Sequence, residues 1–143
     1  MSTVQRAEPE LIELTAHQDP RGSLVPLEET AEVPFTIRRV FIIVGVPEGA
    51  TRANHALSDV DEVLMAASGS LRVQTVTDHV RRHFMLDRPT QGLYIPGRSW
   101  RELSAFAPGT VCVVLASKRY NERDYLDDDV RDAKATVRIS GPS

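Results

Sequence analysis

The stretch GATRANHALSDVDEVLMAASG, Gly49 to Gly69, carries the spacing G-x5-H-x-L-x4-E-x6-G, and the rest of the chain is read outward from it. Side chains at i and i+2 of a strand share a face, so His55 and Leu57 are expected to point together into the interior of a β structure. A turn over Ser58 to Asp61 then brings in Glu62 from the neighbouring strand. One imidazole and one carboxylate are too few ligands for a transition ion. The stretch therefore predicts a pocket that works without metal.

Upstream of it, Leu11 to Asp19 alternates like a strand, and Asp19-Pro20-Arg21-Gly22 has the residues of a hairpin turn. Ser23 to Glu29 follows as a short strand whose Pro26 suits an edge position. Pro34 opens FTIRRVFIIVGV, rich in β-branched and aromatic residues and expected as one long strand. Downstream, Ser68-Gly69 predicts a hairpin into LRVQTVTD, with RRHFMLD next and His79 near the tip between them. LYIP, WRELSAFA and TVCVVLAS complete the core strands, separated by Pro/Gly turns. The tail NERDYLDDDVRDAKA predicts a short helix or a draped segment, with Asp127-Asp128-Asp129 as a solvated face. Eight or more short strands at this spacing predict a sandwich or barrel.

Composition narrows the function. With 143 residues the chain makes one domain, its core at about residues 11–127. A formal charge of −3 without a dominant basic patch argues against nucleic acid or a membrane surface as partner. The run Val40 to Val46 is too short to span a bilayer, and no leader is expected before the first acidic residues. The single cysteine, Cys112, sits in VCVVLA and is expected as a buried structural thiol. The expectation is a cytoplasmic protein.

The spacing of the opening stretch resembles the first motif of the cupin β-barrels, with Leu57 in place of the second histidine. A longer resemblance runs from about residue 11 to residue 127. DPRGSL (Asp19 to Leu24), PFTIRRVF (Pro34 to Phe41), the RxxH of Arg52 to His55, GLYIP (Gly92 to Pro96), WRE (Trp100 to Glu102), VLAS (Val114 to Ser117) and the YxxxDY ending at Tyr125 follow in order. Together they resemble the dTDP-4-keto-6-deoxyglucose 3,4-ketoisomerases, a cupin-fold family of deoxysugar biosynthesis.

The resemblance implies an all-β, cupin-type antiparallel barrel (jelly roll) with a short C-terminal tail segment. It also implies a homodimer with its N-terminal strands exchanged or packed across the two-fold, and no cofactor. The family signature R-G-x-H-A-H falls on Arg52-Ala53-Asn54-His55-Ala56-Leu57, making His55 the catalytic base. An imidazole titrating near neutrality suits removal of the acidified hydrogen on carbon 3 of a 4-keto sugar. A second acid/base is needed where Leu57 cannot serve, and Glu62, Tyr94, Asp59 or a water are the candidates. The resemblance turns Arg39 inward, and with Arg52 it would hold the diphosphate of a nucleotide-linked keto-sugar. Trp100 is expected either in the core or against the base or sugar. Arg101 stands where a metal cupin would place its last histidine and is expected at the substrate. His17, His79 and His83 are expected as surface or structural residues. Leu57 also leaves room for two other readings: a diverged cyclase, epimerase or dehydratase of a natural-product pathway, or a non-catalytic small-molecule-binding cupin.

Overall fold

A computed structural model describes residues 7–126, together with the backbone of 135–138. The chain runs β1 (Glu10–Glu13), β2 (His17–Asp19), β3 (Gly22–Leu24), β4 (Arg39–Val44), β5 (Arg52–Leu57), β6 (Glu62–Ser68) and β7 (Leu71–Thr77). It continues through β8 (Val80–Leu86), β9 (Gln91–Ile95), β10 (Trp100–Ser104), β11 (Val111–Ala116), a 3-10 turn (Glu122–Asp124), β12 (Tyr125–Leu126) and β13 (Ala135–Arg138). One sheet has the order β1-β9-β6-β11-β4, the facing sheet β12-β5-β10-β7-β8-β13, and β2 pairs with β3 alone. Among the described strands, every pairing is antiparallel except that of β13 with β8. The all-β class and the jelly-roll architecture are as expected. The two main sheets face one another as a sandwich rather than closing into one hydrogen-bonded barrel. The acidic run 127–129 lies outside the described residues.

The shared core explains why two sheets form. Leu64, Ala66, Leu93, Ile95, Cys112 and Val114 from the first sheet pack against Leu71, Val73, Phe84, Leu86 and Leu103 from the second. Central strands β6 and β11 read as continuous apolar runs because they are buried on both faces. Their outer face is covered by Val33, Phe35, Leu27 and Ile37 from the segment between β3 and β4, packed on Val63, Leu115 and Tyr94. Cys112 is buried, and burial followed by the nearby charge of Glu62 pushes its thiol up to about 12. It is inert packing, as expected.

Several local expectations change once the sheets are traced. The segment expected as one strand from Leu11 to Asp19 is two, β1 and β2, and β3 ends before Pro26. The long strand expected from Phe35 begins only at Arg39. Ser68-Gly69 does not make a hairpin: β6 pairs with β9 and β11, whereas β7 pairs with β8 and β10, so the chain crosses between sheets there. Gly69 sits at φ +76°, and a Cβ on it would lie 2.7 Å from the Thr110 Cα, so this crossing needs glycine. The β7–β8 connection is a true two-residue hairpin, with Asp78 and His79 at φ 50° and 65°, as a type I′ turn requires. His79 is its exposed tip.

Candidate active site

His55 and Glu62 reach one cavity from opposite sides of the sandwich. His55 projects from β5 in the second sheet. Glu62 opens β6 in the first, so it comes from the facing sheet and not from a neighbouring strand as the sequence suggested. The cavity measures about 430 Å³, within the range that holds a small-molecule ligand. Arg39, Phe41, Ile43, Arg52, Leu64 and Tyr125 line it with His55, Glu62 and Arg101.

Register decides which side chains enter. Arg101 on β10 pairs opposite His55, and both face inward. Immediately beyond, the β5–β10 ladder slips by one residue, because Glu102 pairs with Ala53 and Asn54 bulges out. Ala53 and Asn54 adopt φ 72° and 60°, a left-handed conformation that disfavours side chains. That strain explains why the resembled signature has glycine at the position of Ala53. The bulge delivers Arg52 to the exposed lip of the cavity and His55 to its wall.

The centre of the cavity is an ion pair. Arg101 is 1% exposed and donates through Nη1 to the Glu62 carboxylate, itself 7% exposed at the side chain. Its Nη2 donates to the Ser99 carbonyl at 3.0 Å. Arg101 Nε and His55 Nδ1 are both buried without a partner. Burial, and then the positive charge of Arg101, hold the His55 imidazole below its ordinary 6.5. His55 is therefore neutral at pH 7, in the form that accepts a proton. Its ring meets that of Tyr125 edge-on, with centroids 4.6 Å apart. Arg39 is half-buried, its guanidinium 4.4 Å from the centre of the Phe41 ring and 5.2 Å from that of Tyr120.

The donor set does not suit a metal. Leu57 and Arg101 occupy two positions of a cupin metal shell, and Glu62 is already bound by a guanidinium. No group of three His, Cys, Asp or Glu side chains able to hold an ion occurs among the described residues.

The structure thus brings together His55, Glu62, Arg39, Arg52 and Arg101. It separates two other expected site residues from them. Tyr94 pairs opposite Val63, one residue out of phase with Glu62, so it faces the outer cluster instead of the cavity. Trp100 precedes Arg101 on β10 and takes the opposite face, half-buried, with no place in the cavity lining. Leu57 follows the i+2 rule but is covered: it packs with Val60, Ala116 and Tyr125. Tyr125 and Phe41 are cavity residues that the sequence reading did not single out. Only the YxxxDY pattern hinted at the first, and only strand alternation from Arg39 at the second.

The profile of the family described as "FdtA: WxcM-like, C-terminal" matches residues 7–136. The chain belongs to the FdtA family. Among FdtA-like relatives, it is 38% identical over 108 residues to the TDP-4-oxo-6-deoxy-alpha-D-glucose-3,4-oxoisomerase of Aneurinibacillus thermoaerophilus, covering 76% of this chain and 78% of that one. Its fold matches a point mutant of the 3,4-ketoisomerase QdtA from Thermoanaerobacterium thermosaccharolyticum, crystallised with TDP-4-keto-6-deoxyglucose. There the TM-score is 0.82 and the identity 32%, over 91% of this chain and 96% of that one. The WlaRB TDP-quinovose 3,4-ketoisomerase of Campylobacter jejuni superposes with a TM-score of 0.80 at 36% identity, covering 84% and 92%.

Proposed function

We propose that this FdtA-family protein is a sugar-nucleotide 3,4-ketoisomerase, moving a keto group between carbons 4 and 3 of a dTDP-linked 6-deoxyhexose without metal. The observation that carries the reading is the neutral His55 imidazole on the wall of a cavity that also holds the buried Arg101. A hydrogen on carbon 3 is acidified by the adjacent ketone, and His55 removes it as general base. Charge that develops on the sugar oxygens falls beside the buried Arg101, which Glu62 and the Ser99 carbonyl hold in place. Glu62 is a positioning residue in this scheme. Arg39 and Arg52 give the cavity mouth the cationic character a diphosphate needs.

The active form is proposed to be a homodimer. The β2–β3 hairpin pairs with neither main sheet and exposes Leu24, and edge strand β4 exposes Val40, Ile42 and Val44. Such an unpaired apolar edge favours a second copy. Sedimentation at micromolar concentration should give twice the 15.9 kDa chain mass, and a fully active monomer would refute it. The single buried cysteine fits the reducing cytoplasm proposed as its compartment.

The function is tested by incubating the purified protein with dTDP-4-keto-6-deoxyglucose and a 3-aminotransferase. A dTDP-3-amino sugar is the expected product. Binding of dTDP without turnover would favour a non-catalytic role, and failure to bind dTDP a diverged enzyme, as the Leu57 substitution would then have signalled.

A further inference from the structure

Ketoisomerisation moves two protons, one between carbons and one between oxygens, and His55 accounts for the first alone. We propose that Tyr125 is the second proton carrier, passing a proton between the oxygens on carbons 3 and 4, a role that rests on the ketoisomerase reading. Tyr125 is the cross-strand partner of Leu57. Opposed residues of an antiparallel pair hold their Cβ atoms about 4.5–5.5 Å apart on one face. The phenol ring therefore stands over Leu57, on the side from which His55 projects, and contacts both. An apolar residue leaves the position beside His55 without a titratable group, and the neighbouring strand puts one back.

The other polar residues lining the cavity are unsuited to the task. Arg39, Arg52 and Arg101 do not give up their protons. Thr51 accepts a 3.0 Å hydrogen bond from Asn54 Nδ2 at the exposed rim. Glu62 is bound by Arg101. Tyr125 is also held firmly. Ser58 N donates to the Asp124 carbonyl at 2.7 Å, Asn121 Oδ1 accepts from Arg123 N at 3.0 Å, and the Tyr120 ring lies 5.5 Å away. The turn before the phenol is thereby tied to the end of β5, and Tyr125 and Leu126 pair with Leu57 and Ala56 on β5 itself, the strand that carries His55.

The proton balance closes with these two residues. His55 takes the hydrogen of carbon 3 as a proton, and the C–H pair forms the C3–C4 double bond. The displaced carbonyl pair on the carbon 4 oxygen takes the phenolic proton of Tyr125, giving an enediol. The tyrosinate then takes the proton from the carbon 3 oxygen, whose pair forms the new ketone. The double-bond pair at carbon 4 takes the proton back from His55, and both side chains return to their starting states.

The test uses the full chain. Tyr125→Phe keeps the ring on His55 and Leu57 and removes only the hydroxyl. Its kcat should fall about 10²–10⁴-fold, the usual effect of losing a positioned acid/base, with Tm and dTDP affinity unchanged. Adding Leu57→His to Tyr125→Phe places an imidazole beside the missing hydroxyl and should recover at least about tenfold of that loss, which a packing role would not allow. Tyr125→Phe with more than about half the wild-type rate overturns the proposal. So does a rate loss accompanied by weaker dTDP binding or a lower Tm and not relieved by Leu57→His. Wild-type protein that binds dTDP but leaves the keto-sugar unchanged overturns the ketoisomerase reading, and this role with it.

Discussion

Removing either partner of the Glu62–Arg101 pair should destabilise the protein far more than removing both. Glu62→Leu leaves a guanidinium, 1% exposed, with no counter-charge. Arg101→Met leaves the buried carboxylate alone. Truncating one side of a buried ion pair costs about 3–5 kcal/mol, whereas replacing both with apolar groups of similar volume is near neutral. A domain of this size loses about 3–4 °C of Tm per kcal/mol. Each single variant should therefore melt about 10–20 °C lower. Glu62→Leu combined with Arg101→Met should return to within about 2 kcal/mol of wild type, because Leu64, Leu103 and Val114 already line that space. Urea denaturation at pH 7, followed by circular dichroism, measures all three, and urea leaves ionic strength unchanged. The difference between the double variant and the summed singles should exceed about 3 kcal/mol. A second readout is independent of stability. Since the Arg101 charge helps hold the His55 imidazole down, Arg101→Met should raise its titration towards 6.5, measurable by NMR. Single variants within about 1 kcal/mol of wild type, or simple additivity, would refute the buried pair as the organising contact of the cavity.

His55→Asn should lose about 10²–10⁴-fold in turnover while keeping dTDP affinity. Because the folded His55 titrates below 6.5, wild-type kcat/KM should be full at neutral pH and decline only as pH falls below that value and the base is protonated; a rate profile that rises towards acid would contradict the assignment. Arg39→Ala should weaken dTDP binding by about 2–5 kcal/mol, as for a partly desolvated charge, whereas exposed Arg52→Ala should cost under about 1 kcal/mol and matter less in salt; calorimetric titration at two ionic strengths separates them. Ala53→Gly should relieve about 1–2 kcal/mol of left-handed strain and lose about 0.4–1 kcal/mol to unfolded-chain entropy, so the urea midpoint should rise slightly; a fall would contradict the bulge at Ala53 and Asn54.

The sequence made the strands legible because alternation and turn residues act locally. His55 was turned inward by that same period of two, and Arg39 and Arg101 by the family resemblance; all three line the cavity. What stayed hidden was non-local. Nothing near Ser68-Gly69 distinguishes a hairpin from a crossing between sheets, since both need the same left-handed glycine. Tyr94 looked like a site residue until its pairing with Val63 fixed its parity against Glu62. Tyr125 sits in a polar tail without periodicity, and only the two-residue ladder of β12 on β5 draws it into the cavity. The Glu62–Arg101 contact joins residues 39 apart in sequence on facing sheets, which no local pattern announces.

The central claim is a proton transfer at carbon 3 of a nucleotide-linked 4-keto sugar, and NMR in deuterium oxide observes that transfer directly. With dTDP-4-keto-6-deoxyglucose and wild-type protein, the carbon 3 proton signal should disappear as a 3-keto product accumulates. Both changes should be absent with His55→Asn. A carbon 3 proton signal that persists in the presence of folded, dTDP-binding wild-type protein would contradict the account.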